Sequence, residues 1–310
     1  MENTRAKTTR NSLILLLTAT IWGMAFVSQS KGMDYMHPFT FNGVRSLIGA
    51  AGILVYILIS RKITGDKAAK LDWKRNVRAG LLCGIFLTIA STLQQFGIKY
   101  TSVGKAGFIT TLYIIFVPMF GIFLKKKVAP VVWAAAGMAA VGMYLLCMTE
   151  SLRLGAGDIM VFLCAIAFAI QIMTVDHYAA RIDGAVVSCI QFTVCGVVCC
   201  IGALIWGQPT FGQIQEGLGA LLYAGVLSCG VGYALQIVGQ KGLNPTVAAL
   251  IMSLESVIAT ISGWIAYKIG FLSTDQTLTP RQIAGCVIVF AAVILVQLPP
   301  EWFRFGKKNA

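Results

Sequence analysis

One ionisable side chain, Glu255, lies in the middle of the apolar stretch AALIMSLESVIATISGWIAY at residues 248–267. The stretch is long enough to cross a bilayer, which needs about 20 residues at roughly 1.5 Å each. A charge at mid-membrane costs at least about 2.5 kcal/mol, so an acid in that position is a functional candidate. Three roles fit it: a proton-coupling site, a counter-charge for a cationic substrate group, or a structural partner for an arginine.

A second charge, Arg45, lies several residues inside another apolar run, with Asn42, Gly49 and Gly52 on the same helical face. A guanidinium there can bind a substrate carboxylate through two parallel hydrogen bonds. It can equally pair with Glu255, or extend its aliphatic stem toward the lipid headgroups. The residue types alone leave these alternatives open.

Polar and aromatic side chains within other apolar runs complete the candidate site. An unpaired amide is costly in hydrocarbon, so each glutamine there is expected to face other helices or water, either as a ligand contact or as an interhelical hydrogen bond. Aromatic rings form either the apolar wall of a pocket or ordinary packing. The candidate substrate-binding residues are Glu255, Arg45, Gln94, Gln236, Trp22, Tyr113, Gln191 and Ser91, and Glu255 is also the candidate coupling residue.

Patterns typical of catalysis are absent from the sequence: it has no Walker A, HExxH or GxSxG motif. The nine cysteines lie in or at the ends of apolar runs and form no CxxC pair. Cys195, Cys199 and Cys200 could in principle hold a soft metal, but small residues that let helices pack closely are the simpler interpretation. We therefore predict no catalytic residues, no metal and no cofactor.

The composition indicates an integral membrane protein, with 57% hydrophobic residues, 12% charged residues and a mean hydropathy of +0.78 over 310 residues.

With a cytoplasmic N-terminus, 18 of the 25 Lys and Arg fall on the cytoplasmic side, which by the positive-inside rule places both termini in the cytoplasm. The net charge of +13 therefore indicates membrane orientation rather than nucleic-acid binding. We expect the basic start not to be a cleavable signal peptide, because the apolar run continues through IWGMAFVS. Ten membrane-spanning helices are predicted, at about 12–30, 38–60, 76–97, 103–124, 128–148, 155–175, 185–206, 214–237, 245–267 and 280–298.

The chain also repeats itself. The pattern Leu-Gln-x-x-Gly-x-Lys occurs at residues 93–99 and again at 235–241, and continuing that offset places Tyr113 opposite Glu255. Aligning IWGMAFV with IAFAIQI places Arg45 within one residue of the position opposite Gln191, and Pro130 and Pro280 open the fifth helix of each copy. Five is odd, so the second copy crosses the membrane in the opposite sense. The fold class predicted is an all-α integral membrane protein of two inverted five-helix repeats, 1–149 and 150–310, an architecture typical of secondary transporters.

The order of several short motifs resembles the drug/metabolite transporter superfamily, in its EamA-type branch, over nearly the whole chain. The first helix carries Trp22-Gly23-Met24-Ala25-Phe26, the second Pro38 and Arg45, the fourth Tyr100-Thr101-Ser102 and Pro118, and the ninth Leu254-Glu255-Ser256. Two departures stand out. Ser256 replaces a usual proline, and LKKKVAP and IGFLSTDQTLTP stand where a Gly-Glu often follows the fourth and ninth helices.

The resemblance implies a plasma (inner) membrane exporter of amino acids or other small metabolites that works by alternating access, with helices 5 and 10 peripheral. Proton coupling through Glu255 is a further hypothesis. The alternatives are a facilitative uniporter of a small metabolite and, outside transport, a lipid-acting enzyme or a receptor. The expected partners are a small-molecule substrate and membrane lipids, with no nucleic acid, in a monomer or homodimer.

Overall fold

Helices account for almost all of the secondary structure in the part of the chain that the structure describes. The structure is a computed structural model, and it describes residues 2–64, 72–124, 128, 130–147, 155–273 and 276–297, with no strand among them. Eight helices in these ranges are long and apolar enough to cross a membrane, and two shorter apolar helices cover Pro130–Gly142 and Pro280–Leu295. The chain is therefore an all-helical, multi-pass membrane protein. Ten crossings in two inverted copies stay a prediction.

Every predicted apolar run corresponds to one helical unit. In chain order these are α1 (Glu2–Gly32), α2 (Pro38–Thr64), α3 (Trp73–Tyr100), α4 (Val103–Phe123), α5 (Pro130–Cys147), α6 (Ala156–Ala179), α7 (Gly184–Gly207), α8 (Leu218–Gln240), α9 (Pro245–Lys268) and α10 (Pro280–Gln297), with a short helix Phe211–Glu216 before α8. The prediction that Pro130 and Pro280 open helices is confirmed, since proline at the first position gives up no helical hydrogen bond.

Two helices, α4 and α9, are interrupted near their middles. The interruption in α4 lies at Leu112, between Val103–Thr111 and Tyr113–Phe123, and that in α9 lies at Ser253, between Pro245–Met252 and Leu254–Lys268. Proline is not what interrupts α9. Instead the Ser253, Ser256 and Thr260 hydroxyls donate to carbonyls three or four residues earlier, at 2.7–2.9 Å, a pattern that bends helices.

Wider helical turns distinguish α7 and α8. Residues Ala203–Gly207 at the end of α7 and Tyr223–Gly232 within α8 adopt π-helix geometry. A ten-residue π-helical segment is unusual, and such segments occur mostly where a helix is adapted to function. Neither segment is predicted by the sequence pattern.

Small residues bring specific pairs of helices into close contact. α1 packs against α8 and α9, α2 against α7 and α8, α3 against α6 and α7, and α5 against α10. At the α1 to α9 contact, a Cβ on Gly23 would lie 2.7 Å from the backbone oxygen of Glu255. At the α5 to α10 contact, a Cβ on Gly142 would lie 2.8 Å from the backbone oxygen of Gly285. These approaches require glycine, as is common where membrane helices cross.

Polar contacts tie the helix ends together at both ends of the bundle. At the end that carries Arg61, Arg181 and Lys241, here called the basic end, Asn11 Nδ2 donates to the Lys241 carbonyl at 2.7 Å. At the opposite end, buried Asp158 at the start of α6 accepts from Lys105 Nζ at 2.6 Å and from Thr101 Oγ1 at 2.8 Å. Each contact joins one copy of the repeat to the other.

Candidate functional site

A buried cavity lies among α1 to α4 and α6 to α9, which agrees with the peripheral place that the resemblance implied for helices 5 and 10. Its volume, measured for the centre of a water molecule, is about 40 Å³. Because one water needs roughly 10–15 Å³ of such space, the cavity has room for only a few waters. No described residue of α5 or α10 contributes. The lining residues are Trp22, Phe26, Gln29, Arg45, Ser46, Leu87, Ser91, Gln94, Thr110, Tyr113, Phe168, Gln171, Ile172, Phe192, Ser228, Cys229, Tyr233, Gln236 and Glu255.

The Glu255 carboxylate is held at the wall of this cavity by a phenol from the other half of the chain. Tyr113 Oη donates to Glu255 Oε1 at 3.0 Å, and both side chains are almost fully buried. Glu255 also lies in the first turn of Leu254–Lys268, where the helix dipole favours a negative charge. The helix interruption at Ser253 therefore places the carboxylate at a helix start in the interior of the bundle.

The guanidinium of Arg45 lines the same cavity from α2. Arg45 is only 5% exposed, and its guanidinium carbon lies 5.4 Å from the centre of the Phe41 ring. Its Nε has no hydrogen-bond partner, and within the described ranges no ion pair joins Arg45 to Glu255. The structural pairing of these two charges, one of the sequence-based alternatives, is thus not formed in this conformation.

Two glutamines at equivalent repeat positions, Gln94 and Gln236, both line the cavity. Gln94 Nε2 donates to Thr110 Oγ1 at 3.2 Å, and Gln236 Nε2 donates to Gln171 Oε1 at 3.3 Å. The second bond leaves Gln171 Nε2 and Gln236 Oε1 unused, and these two atoms and the nearby Gln29 Oε1 are buried with no protein partner among the described residues. Buried polar atoms are usually paired, so unpaired ones around a single cavity suit a polar ligand or water.

Aromatic rings close one side of the cavity. The Trp22 and Tyr233 rings lie 4.6 Å apart, and Phe192 meets Tyr233 edge-on at 4.9 Å. Trp22 Nε1 donates to the Ser228 carbonyl in the π-helical part of α8 at 3.3 Å. This contact fixes α1 against α8, so Trp22 serves both packing and the cavity wall.

Seven of the eight predicted substrate-binding residues line the cavity, and Gln191 does not. Gln191 is fully buried on α7 where α3 approaches, since a Cβ on Gly84 would lie 3.2 Å from its Cα, and both of its amide atoms lack partners among the described residues. Gln29 and Ser46 are among the lining residues that the candidate set missed. Gln29 follows Trp22 and Phe26 on one helical face, and Ser46 follows Arg45, so these two could have been found from spacing.

Thiols lie beside the cavity without forming a metal site. Cys195 Sγ is 3.4 Å from Ser46 Oγ and 3.4 Å from Ser91 Oγ. In the described ranges no group of three or more His, Cys, Asp or Glu side chains is arranged to hold a metal ion. The cysteines of α7 pack against the hydroxyls of α2 and α3.

Comparison with known sequences supplies the family. The profile of the EamA-like transporter family matches this chain twice, at residues 10–148 and 155–298. The chain belongs to the EamA-like transporter family. It is accordingly a member of the drug/metabolite transporter superfamily and a membrane transporter, and its two family segments agree with the repeat seen in the sequence.

Several uncharacterized transporters match this chain along most of their length. An uncharacterized transporter of Archaeoglobus fulgidus is 27% identical over 290 residues, covering 92% of this chain and 84% of the relative. The uncharacterized transporter YwfM of Bacillus subtilis is 24% identical over 295 residues, covering 94% of each chain. One known crystal structure superposes on this chain with a TM-score of 0.73 and a sequence identity of 16%. The superposition covers 96% of this chain and 99% of the other. At that identity the match shows a shared fold.

Proposed function

We propose that this protein is a secondary transporter that exports small metabolites, with amino acids as the substrate class, across the plasma membrane. The observation that carries the proposal is the pair of opposite charges, Arg45 and Glu255, which line one buried cavity without pairing with each other. A buried charge without a partner is costly, so a ligand that supplied both partners would be favoured. The outward direction follows the family resemblance.

A zwitterionic amino acid has one charged group for Arg45 and one of opposite sign for Glu255. Its carboxylate would accept two hydrogen bonds from the Arg45 guanidinium, and its ammonium group would donate to Glu255, whose other contact is the Tyr113 hydroxyl. Gln171 and Gln236, with their unused amide atoms, would orient polar substituents. Trp22, Phe192 and Tyr233 supply the apolar wall that such pockets usually have.

The cavity volume supports transport by alternating access. About 40 Å³ for water centres is too small for an amino acid, so binding requires helices around the cavity to move. In two inverted five-helix halves, such movement opens the site first to one side and then to the other. The interruptions of α4 at Leu112 and α9 at Ser253 lie beside the site, where a bend changes the cavity most.

Proton coupling is part of the proposal and depends on Glu255. It is the only carboxylate among the described lining residues, so a transported proton would be exchanged there. A facilitative uniporter differs on this point, because Glu255 would then bind substrate or pack helices without exchanging a proton.

The test is counterflow in proteoliposomes containing the wild type, Glu255→Gln, Arg45→Lys or no protein. A pooled amino-acid mixture identifies the transported compound. Its transport is then compared with that of the matching amine, which lacks the carboxylate, and of the matching acid, which lacks the ammonium group. We expect wild type to prefer the zwitterion, Arg45→Lys to lose affinity for compounds with a carboxylate, and Glu255→Gln to lose both ammonium recognition and dependence on a pH gradient.

Three results would contradict parts of this proposal. Equal transport of the amine, the acid and the zwitterion would contradict the zwitterion site. The uniporter would be indicated if transport by wild type did not depend on the pH gradient and Glu255→Gln still lost affinity for the substrate. Turnover of a lipid substrate by the purified protein would indicate an enzyme.

A further inference from the structure

A second and much larger cavity lies between α2 and α8 at the basic end of the bundle. Its volume is about 1180 Å³ for water centres, whereas small-molecule pockets usually measure roughly 300–1,000 Å³. It is also lined by the turn before α7 and by the first residues of that helix, Ile182 to Ala185. The cavity, here called the α2/α8 groove, therefore suits a ligand larger than the metabolite proposed above.

The groove ends at Gly49, where the two helices touch. A Cβ on Gly49 would lie 2.7 Å from the Cys229 Cβ and 2.9 Å from the Gly225 carbonyl oxygen. One turn further along α2, a Cβ on Gly52 would meet no atom within 4 Å, so the helices have already separated there. Twelve residues separate Gly49 from Arg61 at the rim, and they span about 18 Å of helix. One leaflet of a hydrocarbon core about 30 Å thick is about 15 Å deep, so the groove has the length of one acyl chain.

The walls and the rim differ in chemistry. Apolar side chains such as Ile53, Ile57, Leu235 and Val238 line the walls between the contact at Gly49 and the rim. The rim carries three cations, Arg61, Arg181 and Lys241.

The two acids near the rim, Asp72 and Asp183, already have partners within the protein. Asp183 accepts from the Ala185 and Val186 backbone N–H groups at 2.9 and 3.2 Å, and Asp72 pairs with Arg75 at 3.4 Å. Among the described residues, Arg61 and Arg181 have no acid within ion-pair distance. The rim thus offers two guanidinium groups for an external anion.

We infer that the α2/α8 groove binds an anionic phospholipid of the adjacent leaflet, with its phosphate at Arg61 and Arg181 and one acyl chain lying along the groove as far as Gly49. Basic sites between membrane helices are suited to such headgroups, and arginine binds phosphate through two parallel hydrogen bonds. The inference is independent of the transported substrate, because no residue that lines the groove also lines the central cavity.

The test is native mass spectrometry of the purified protein with added phosphatidylglycerol or phosphatidylcholine of identical acyl chains. The first comparison uses two double variants. Arg61→Gln/Arg181→Gln removes the two guanidinium groups at the rim. Its control, Lys268→Gln/Arg281→Gln, removes two positive charges from the opposite end of the bundle. We expect wild type to prefer phosphatidylglycerol by about tenfold, the first double variant to lose that preference and the control to keep it. Retention of the preference by Arg61→Gln/Arg181→Gln would overturn the headgroup assignment.

The second comparison tests the groove itself. Gly52→Trp should weaken binding of both lipids, whereas Gly52→Ala should not, because the space beside Gly52 is open. A Gly52→Cys variant labelled with a bulky maleimide after purification repeats the test on protein that has already folded, with maleimide-treated wild type as its control. Unchanged lipid binding by the labelled protein would overturn the proposal that a chain lies between α2 and α8.

Discussion

Tyr113 donates a hydrogen bond of 3.0 Å to Glu255 across 142 residues of sequence. The two residues occupy equivalent positions in the two copies of the repeat, and each lies at the start of a helical segment that follows an interruption, at Leu112 in α4 and at Ser253 in α9. The acid of one copy is therefore oriented by the phenol of the other. This contact joins the two halves of the chain at the cavity wall.

Tyr113→Phe is expected to weaken transport without loss of folded protein. Removing a hydrogen bond to a charged group typically costs about 1.5–3 kcal/mol, which predicts a rise of about tenfold or more in KM if the carboxylate contacts substrate. The measurement is counterflow kinetics on the compound identified in proteoliposomes. Tyr144→Phe, on α5 and outside the cavity, is the matched control. Kinetics of Tyr113→Phe equal to those of wild type would show that the hydroxyl has no part in Glu255 function.

Gly23→Ala is expected to destabilise the protein and reduce transport. A Cβ at Gly23 would lie 2.6 Å from the Ile258 Cβ and 2.7 Å from the Glu255 carbonyl oxygen, so α9 must shift at its functional acid. Overpacking of this kind costs about 1–3 kcal/mol. The measurements are the thermal unfolding midpoint in detergent and counterflow. Gly137→Ala on α5 meets no atom within 4 Å and should leave both unchanged, and equal behaviour of the two variants would contradict the close-contact role.

Asp158→Asn is expected to lower the thermal unfolding midpoint by several degrees. The carboxylate accepts from Lys105 Nζ, Thr101 Oγ1 and the Gly155 backbone N–H, at 2.6, 2.8 and 2.9 Å, and is 3% exposed. Neutralising it leaves the half-buried Lys105 ammonium without its partner, which costs about 3 kcal/mol or more for a buried pair.

The control for Asp158→Asn is Asp34→Asn, which removes an exposed ion pair with Lys31 at 2.9 Å. Such surface pairs contribute about 0–1 kcal/mol, so its unfolding midpoint should change little. A midpoint for Asp158→Asn as close to wild type as that of Asp34→Asn would show that the contact between α6 and the start of α4 does not stabilise the bundle.

His37 is expected to make stability depend on pH. It lies between α1 and α2, edge-on to Phe96 at 5.4 Å, and burial together with the charge of Lys99 lowers the pKa of His37 below 6.5. As the pH falls below 6.5, the unfolded chain takes up this proton before the folded protein does. The stabilisation is therefore present above that pH and is lost as the pH falls.

The measurement compares thermal unfolding midpoints of wild type and His37→Gln above and below pH 6.5. Wild type should lose more stability on acidification than the variant does, and His177→Gln, which removes the other histidine, serves as the control. Equal losses in wild type and His37→Gln would show that His37 is not responsible.

The sequence predicted the helices and seven of the cavity residues because both depend on local chemistry. Apolar runs of about 20 residues mark helices whatever their neighbours, and polar groups such as Gln94 or Arg45 inside those runs must face the bundle interior. Gln191 fits that rule as well, yet it is buried between α3 and α7 rather than at the cavity. Periodicity selects the face that avoids lipid, but it does not select which neighbouring helix that face meets.

What the sequence determined by itself was the membrane class, the positions of the ten helical units and the repeat that pairs Tyr113 with Glu255. What only the tertiary structure decided was that these two side chains touch, that Arg45 and Glu255 line one cavity without pairing, and that α2 and α8 separate beyond Gly49. The π-helical segment Tyr223–Gly232 and the interruption at Ser253 belong to this second group. The physical reason is that burial and helix formation act along a single chain, whereas a cavity is formed by the crossing of eight helices whose mutual distances depend on close packing between residues far apart in sequence.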